Sequence, residues 1–308
     1  PTLVSTGMIT RPIAEIASII KADTALAAGT APDGRTYGTI ADSYILAAAQ
    51  AVAFHEKEWR SDLTPARYVA LPETSGYFRD SQGRPMSDAY ALPYNMENAL
   101  GRTMFYLYQA TGNTAYKDRA VLLARHLSGG QDRTGGALVW KYWDWSEDLS
   151  IEDTSHAWIS VDFMRMMYQS GLYFDEGRMA ALLATYHQNV VPSSSVVNNI
   201  IDGTEPISGE EREFGAMWTV LSSLDKTIGV KARQIATGNI LTTWRYMVRS
   251  LSALDESRKA DGAQCKLDTE CKSDMCFGGK VCGARLGVGR TCTRDVECAS
   301  RSCASGKC

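Results

Sequence analysis

All eight cysteines of this 308-residue chain lie between Cys265 and Cys308, and none precedes them. That crowding divides the chain before any other signal is read. An even number of cysteines in one short stretch reads as a disulfide framework, and disulfides persist in oxidising compartments. Secretion to the extracellular space is therefore expected. The tail is a duplicated unit: Cys265, Cys271, Cys276 and Cys282 are followed by Cys292, Cys298, Cys303 and Cys308, and both copies read C-x-x-D-x-E-C-x-S-x-x-C. Structural zinc is disfavoured, because the tail has no histidine and no CxxC pair. The tail carries more basic than acidic side chains although the whole chain has a formal net charge of −3. A basic, stapled module suits attachment to an acidic polymer, a matrix or a cell surface; a spacer would use the same features.

The stretch ahead of the tail has no cysteine and must stand on an apolar core. Its length allows one large domain, taken as residues 1–258, with residues 259–308 as the cysteine-rich repeats. Hydrophobic content of 44% and charged content of 22% are ordinary for a globular protein. Nothing in the charge balance suggests nucleic acid. No uninterrupted apolar run approaches the ~20 residues of a membrane span. The chain opens at Pro1 without a signal-peptide pattern, as expected of either a mature form or a trimmed sequence.

Periodicity predicts about eight helices arranged as hairpins, an all-α architecture of the (α/α) toroid or barrel type. The first is expected over Ile9 to Ala27, with Ile13, Ile16, Ile19 and Ile20 on one side. The second is expected over Ile40 to Trp59, where His55 packs or faces solvent. Residues 61–92 read as irregular, rich in turn residues, and Tyr77 and Arg79 are candidates to face a ligand there. Pro93 then suits a helix start. A helix to about Gln109 turns at TGN and returns over Thr114 to His126. On it Asn95, Asn98 and Arg102 share a face beside an apolar stripe of Met96, Leu100, Thr103 and Leu107, so one side packs and the other meets a polar ligand. Further helices are expected over Thr154 to Gln169, Arg178 to Asn189, Glu210 to Leu224 and Ile235 to Glu256.

The stretch from Trp140 to Met164 concentrates chemistry. It holds Trp140, Tyr142, Trp143, Trp145 and Trp158, whose flat faces suit stacking on sugar rings. After an extended GGALVWKYW, the run SIEDTSHAW reads as a helix start capped by Asp153, Thr154 or Ser155. This puts His156 in the first turn, where the helix dipole disfavours an imidazolium and a general base is plausible.

Asn95, Asn98, Arg102, Tyr142, His156 and Arg212 together form a kit for β-elimination at a uronic acid. The C5 proton is too weakly acidic to remove while the C6 carboxylate keeps its charge, so an amide or guanidinium must neutralise it. A histidine or tyrosine takes the proton, and a tyrosine protonates the leaving O4. These residues need no cofactor and no metal, and no EF-hand or HExxH pattern is present. A second chemistry is open. Two of Asp144, Glu147, Asp148, Glu152 and Asp153 could be the acid and base of an inverting glycoside hydrolase, although clustered acids often serve as caps and solvated charges. A non-catalytic carbohydrate-binding protein is the third reading.

PYNMENALGRTMFYLYQATGNTAY, followed by EDTSHAWISVDF, resembles polysaccharide lyases with an (α/α) toroid, closest to the glucuronan and alginate lyases of family 38. The resemblance covers about residues 70–225. It implies a lyase acting on 4-linked uronic-acid polymers. It also implies that Asn95 or Asn98 neutralises the carboxylate and that His156 is the base or assists it. Tyr142 is the matching tyrosine, with Tyr94 and Tyr246 as fallbacks, and Arg102 and Arg212 compete for the arginine.

Overall fold

The structure is a computed structural model, and it describes residues 2–71, 90–144, 150–236, 276–277 and 281–282. The chain divides into two compact units, Pro1–Trp218 and Thr219–Cys308. In the first unit the helices are α1 (Leu3–Ala22), α2 (Thr24–Ala28), α3 (Tyr37–Phe54), α4 (Tyr94–Thr111), α5 (Thr114–Gly129), α6 (Thr154–Gln169) and α7 (Glu176–Ala184). Helix α7 runs on into a π-turn, Thr185–Val190, and a 3-10 helix, Gly209–Ser223, crosses the boundary between the units.

Side-chain pairings order these helices. Along α1 and α4, Gly7 meets Ala99, Thr10 meets Thr103 and Glu15 meets Tyr106, so the two run parallel. Along α4 and α6, Asn98 meets Ser160 and Arg102 meets Asp162, again in parallel. The intervening helices return antiparallel. Thr6 and Lys21 of α1 pair with His55, just past the end of α3, and with Asp42 within it. Tyr94, Glu97 and Gly101 of α4 meet Gly130, His126 and Leu123 at or along α5. Parallel inner helices joined by antiparallel returns are the construction of an (α/α) toroid, and the expected all-α class holds. A consequence follows for position: the N-termini of α1, α4 and α6 all lie at one end.

The sequence explains why α4 can be an inner helix. Tyr94, Asn95, Glu97 to Phe105 and Leu107 are all buried. Close approach is set by glycine. A Cβ on Gly7 would lie 2.3 Å from the Ala99 carbonyl carbon, and one on Gly101 would lie 3.0 Å from the Phe163 ring. Leu100, Met104, Leu107, Leu123, Phe163 and Met167 fill the core around these contacts. Gly112, in the left-handed conformation at φ 70°, ends α4 as the TGN turn requires.

Several expectations are corrected. The isoleucine side of α1 is its packed side only in part: Ile20 is buried, but Ile16 and Ile19 are 50% and 56% exposed, and Gly7, Ala14 and Ala17 make the close contacts. Small residues win because the helix axes come too close for branched side chains. Helix α1 starts at Leu3 rather than Ile9, and Asp23 ends it and caps α2. By length and composition α1 is apolar enough to cross a membrane, contrary to the reading of the sequence. Its polar groups serve the domain interior: Thr10 Oγ1 pairs with Thr103, and Arg11 bonds Glu15 and faces Asp162. Asn95, Asn98 and Arg102 do not form an open polar face, since each is only 1% exposed.

The strands are short. β1 (Trp59–Arg60), β2 (Arg67–Ala70) and β3 (Tyr90–Ala91) form one antiparallel sheet. β4 (Gln131–Thr134) and β5 (Ala137–Trp140) form a hairpin turned by Gly135 and Gly136, as GGALVWKYW suggested. β6 (Val197–Asn198) pairs with β7 (Pro206–Ile207). In the second unit α8 spans Lys226–Ala236, earlier than the helix expected from Ile235, most of which lies outside the described residues. There β8 (Cys276–Phe277) pairs with β9 (Val281–Cys282), placing Cys276 opposite Cys282.

Candidate functional site

The site is built where β5 hands over to α6. Past Trp140 the chain doubles back: Tyr142 N–H donates to the Ser150 carbonyl and Glu152 N–H to the Trp140 carbonyl, both at 3.0 Å. The returning segment is held on its other side by Asn198 to Ile201. Thr154 N–H donates to Asn199, Ile201 N–H donates to Glu152, and Thr154 Oγ1 donates to the Asn198 carbonyl. Trp218 Nε1 donates to the Thr154 carbonyl and closes the frame. These hydrogen bonds tie the segment into its neighbours on both sides and fix the direction of the residues it carries.

Asp153 caps α6, as the sequence suggested. Its Oδ1 accepts from the backbone N–H groups of Ser155 and His156 and from Ser155 Oγ. Its Oδ2 lies 2.5 Å from His156 Nδ1. One carboxylate thus ties down the helix end and orients the imidazole, leaving His156 Nε2 directed away from the pair. The Tyr142 ring meets the His156 ring edge-on, with centroids 5.8 Å apart. Tyr142 is positioned in turn by α4, because Tyr94 N–H donates to the Tyr142 carbonyl at 3.2 Å. The N-terminal ends of two inner helices therefore converge on Tyr142 and His156, and both ends favour negative charge.

The carboxylates beside this pair differ sharply. Burial would raise Asp153, but hydrogen bonds from His156 and Ser155 outweigh it and hold the carboxyl below its usual range. The same hydrogen bond raises His156, against a smaller opposing effect of burial, so the Asp153 carboxylate overrides the helix dipole expected to disfavour the imidazolium. Glu152 is fully buried, and burial followed by the charge of Asp153 pushes its carboxyl well above the usual range. Neither Glu152 oxygen has a hydrogen-bond partner. The indole of Trp140 favours the charged form, yet its Nε1 also falls outside hydrogen-bond geometry. Glu152, Asp153 and His156 offer ligating atoms that all lie within 4.8 Å of one another.

The other candidates distribute as follows. Asn95 sits one residue into α4, buried, with Oδ1 lacking a hydrogen-bond partner. Asn98 Nδ2 donates to Ser160 Oγ at 2.9 Å. Arg102 donates to Asp162 Oδ2 at 3.0 Å and lies over the Trp158 ring. Arg212 donates to the Ser194 carbonyl. Trp140 is 1% exposed, and Trp143 and Trp158 are 8% exposed, so these three indoles serve packing more than an open face. Tyr94 packs against His126 and places its hydroxyl over Gly130. Tyr77, Arg79, Trp145, Glu147, Asp148 and Tyr246 lie outside the described residues, as do Cys265, Cys271, Cys292, Cys298, Cys303 and Cys308.

Two clusters escaped the sequence reading. Asp162, fully buried, is surrounded by Arg102, Arg165 and Arg11 at 3.0, 2.7 and 3.5 Å. A carboxylate inside an apolar helical run was its one sequence signal. The other is His126, whose Nδ1 lies 2.8 Å from Glu97 and whose Nε2 lies 3.6 Å from Asp144. Burial opposes its charge, but Glu97 and Asp144 prevail and raise it to about 9. Arg67 also faces Asp144, at 3.7 Å. No local pattern links residues so far apart in the chain.

The chain matches no protein-family model and no curated protein sequence, so the resemblance to family 38 lyases gains no support from them. Among solved structures it is similar to a GH76 alpha-mannanase of Bacteroides thetaiotaomicron, with TM-score 0.48 and 12% identity over 89% of this chain and 67% of that one. It is also similar to a family 76 glycoside hydrolase from a bovine Bacteroides thetaiotaomicron strain, with TM-score 0.46 and 14% identity over 75% and 47% of the two chains. A third is a family 76 mannosidase of Bacteroides thetaiotaomicron, with TM-score 0.45 and 12% identity over 85% and 62%. The fold assignment rests on the helix packing described above.

Proposed function

We propose that this protein is a secreted carbohydrate-active enzyme that cleaves a 4-linked uronic-acid polymer, glucuronan first and alginate second, by β-elimination. The observation that supports this reading is the Asp153–His156–Tyr142 arrangement at the N-terminus of α6. Asp153 holds one imidazole nitrogen, so the outward nitrogen of His156 takes the C5 proton. Tyr142, beside it, gives a proton to the leaving O4. Neutralisation of the C6 carboxylate falls to the helix N-termini, since Asn95 and Asn98 are each 1% exposed. Two converging helix N-termini add a field that favours the uronate. Catalysis belongs to residues 1–258 in this reading, and the cysteine repeats of residues 259–308 attach the enzyme to its polymer or to a surface.

A second reading has its own support. Glu152 and Asp153 are adjacent carboxyls pushed in opposite directions, the pattern expected of an acid and a base in a glycoside hydrolase. The complete burial of Glu152 and the engagement of Asp153 with His156 weigh against it. One experiment separates the two. Incubation with glucuronan, polymannuronate, polyguluronate and a neutral mannan is followed by ultraviolet absorbance and by reducing ends. Absorbance rising with a uronan supports elimination. New reducing ends with a flat absorbance overturn it in favour of hydrolysis.

A further inference from the structure

We propose that Glu152, Asp153 and His156 form a binding site for a divalent first-row transition cation, and that its occupancy silences His156 as a base. Three observations point to the site. The ligating atoms of the three residues lie within 4.8 Å of one another, close enough for one ion to span them after small side-chain shifts. Glu152 has no exposed surface, yet both of its oxygens lack a hydrogen-bond partner and one of them lies in this cluster. A buried carboxyl whose nearby N–H groups fall outside hydrogen-bond geometry is costly, and a cation is a ligand that would satisfy it. His156 is half exposed, so the third ligand can adjust and an ion can enter from its side.

The donor set selects the ion. One imidazole nitrogen and two carboxylate oxygens suit Zn²⁺ or Mn²⁺, with open positions left for water. Ca²⁺ takes six to eight oxygens, which these three residues do not supply. The effect on the base follows from which nitrogen faces the cluster. It is His156 Nδ1, which lies 2.5 Å from Asp153. A cation there takes the place of the proton between the two groups. His156 then keeps its remaining proton on Nε2 and cannot accept another. This second part rests on the elimination reading above, whereas binding itself does not.

The test uses the full chain and titrates ZnCl₂ by calorimetry, with MnCl₂ and CaCl₂ in parallel. One equivalent of Zn²⁺ is expected to bind, with an affinity at least about tenfold lower in Glu152→Gln and in His156→Ala. Mn²⁺ is expected to be weaker and Ca²⁺ silent. Glu152→Gln keeps the side-chain shape, and the exposure of His156 makes His156→Ala safe for folding. Zn²⁺ binding equally well to both variants, or no binding to the wild type, overturns the site. Zn²⁺ binding with elimination undiminished overturns the silencing. If no uronan is ever cleaved but both variants lose Zn²⁺, the site stands and the elimination reading fails.

Discussion

Two clusters of charge on the same pair of inner helices have opposite characters. At the N-terminus of α6, Asp153 and His156 are hydrogen-bonded to each other and remain partly open to solvent. Farther along α4 and α6, Arg102, Arg165 and Arg11 enclose a carboxylate, Asp162, that has no exposure at all. Both contain the residue types that suggest chemistry. Their depth along the helices separates them. A charge in mid-helix between parallel neighbours must be neutralised by those neighbours, and it then has nothing left for a ligand. A charge at the helix end can be oriented by a cap and still turn one face outward.

The contrast can be broken from either side. The largest expected effect is on turnover. His156→Ala and Tyr142→Phe should each lower uronan cleavage by about 10²- to 10⁴-fold, the usual worth of a positioned acid or base. Their melting temperatures should stay close to wild type. Steady-state rates beside thermal melts check this, and full activity in either variant would remove that residue from the mechanism. Asp162→Ala should do the reverse and act on folding. It removes the carboxylate that Arg102, Arg165 and Arg11 share in the interior, at a cost of about 3–5 kcal/mol in a denaturant titration.

A smaller effect is expected at the α1–α4 crossing. Gly7→Ala drives a methyl group into the Ala99 backbone, where no flexible side chain can yield, and should cost about 1–3 kcal/mol in the same titration. The smallest concerns His126. Its pKa is raised to about 9 in the folded state, so its charge stabilises the fold fully below the ordinary histidine pKa near 6.5. That stabilisation is lost as pH rises through about 9. The wild type should therefore lose more stability than His126→Gln between pH 6.5 and 9, as read by melting curves. Equal slopes would show that Glu97 and Asp144 do not hold the imidazolium.

Much of this was readable from the residues. The α4–α5 hairpin followed from Pro93, the TGN turn and helical periodicity. The start of α6 followed from the EDTSH run, with Asp153 among its expected caps. His156 and Tyr142, fourteen positions apart, were paired on chemical grounds, and the structure brings their rings together. The polar face of α4 was misread because helical spacing shows which residues share a side, not whether that side meets water or another helix. Arg102 and Asn98 meet Asp162 and Ser160. The tryptophans were misread for a related reason. An indole can stack on a sugar or fill a core, and only neighbouring elements decide which; Trp140 lies inside β5 and is closed off.

The sequence by itself determined that the cysteines are confined to a duplicated segment at residues 265–308, the hairpin order of the helices, and the cap that sets the direction of His156. Those signals are local: composition, period and the chemistry of a helix end act over a few residues. Tertiary structure alone decided that α4 is buried all round from Glu97 to Phe105, that Glu152 is desolvated while Asp153 beside it is held below its usual range, and that His126 meets Glu97 and Asp144. Burial and electrostatic pairing depend on which distant segments come within a few ångströms, and that distance is set by packing.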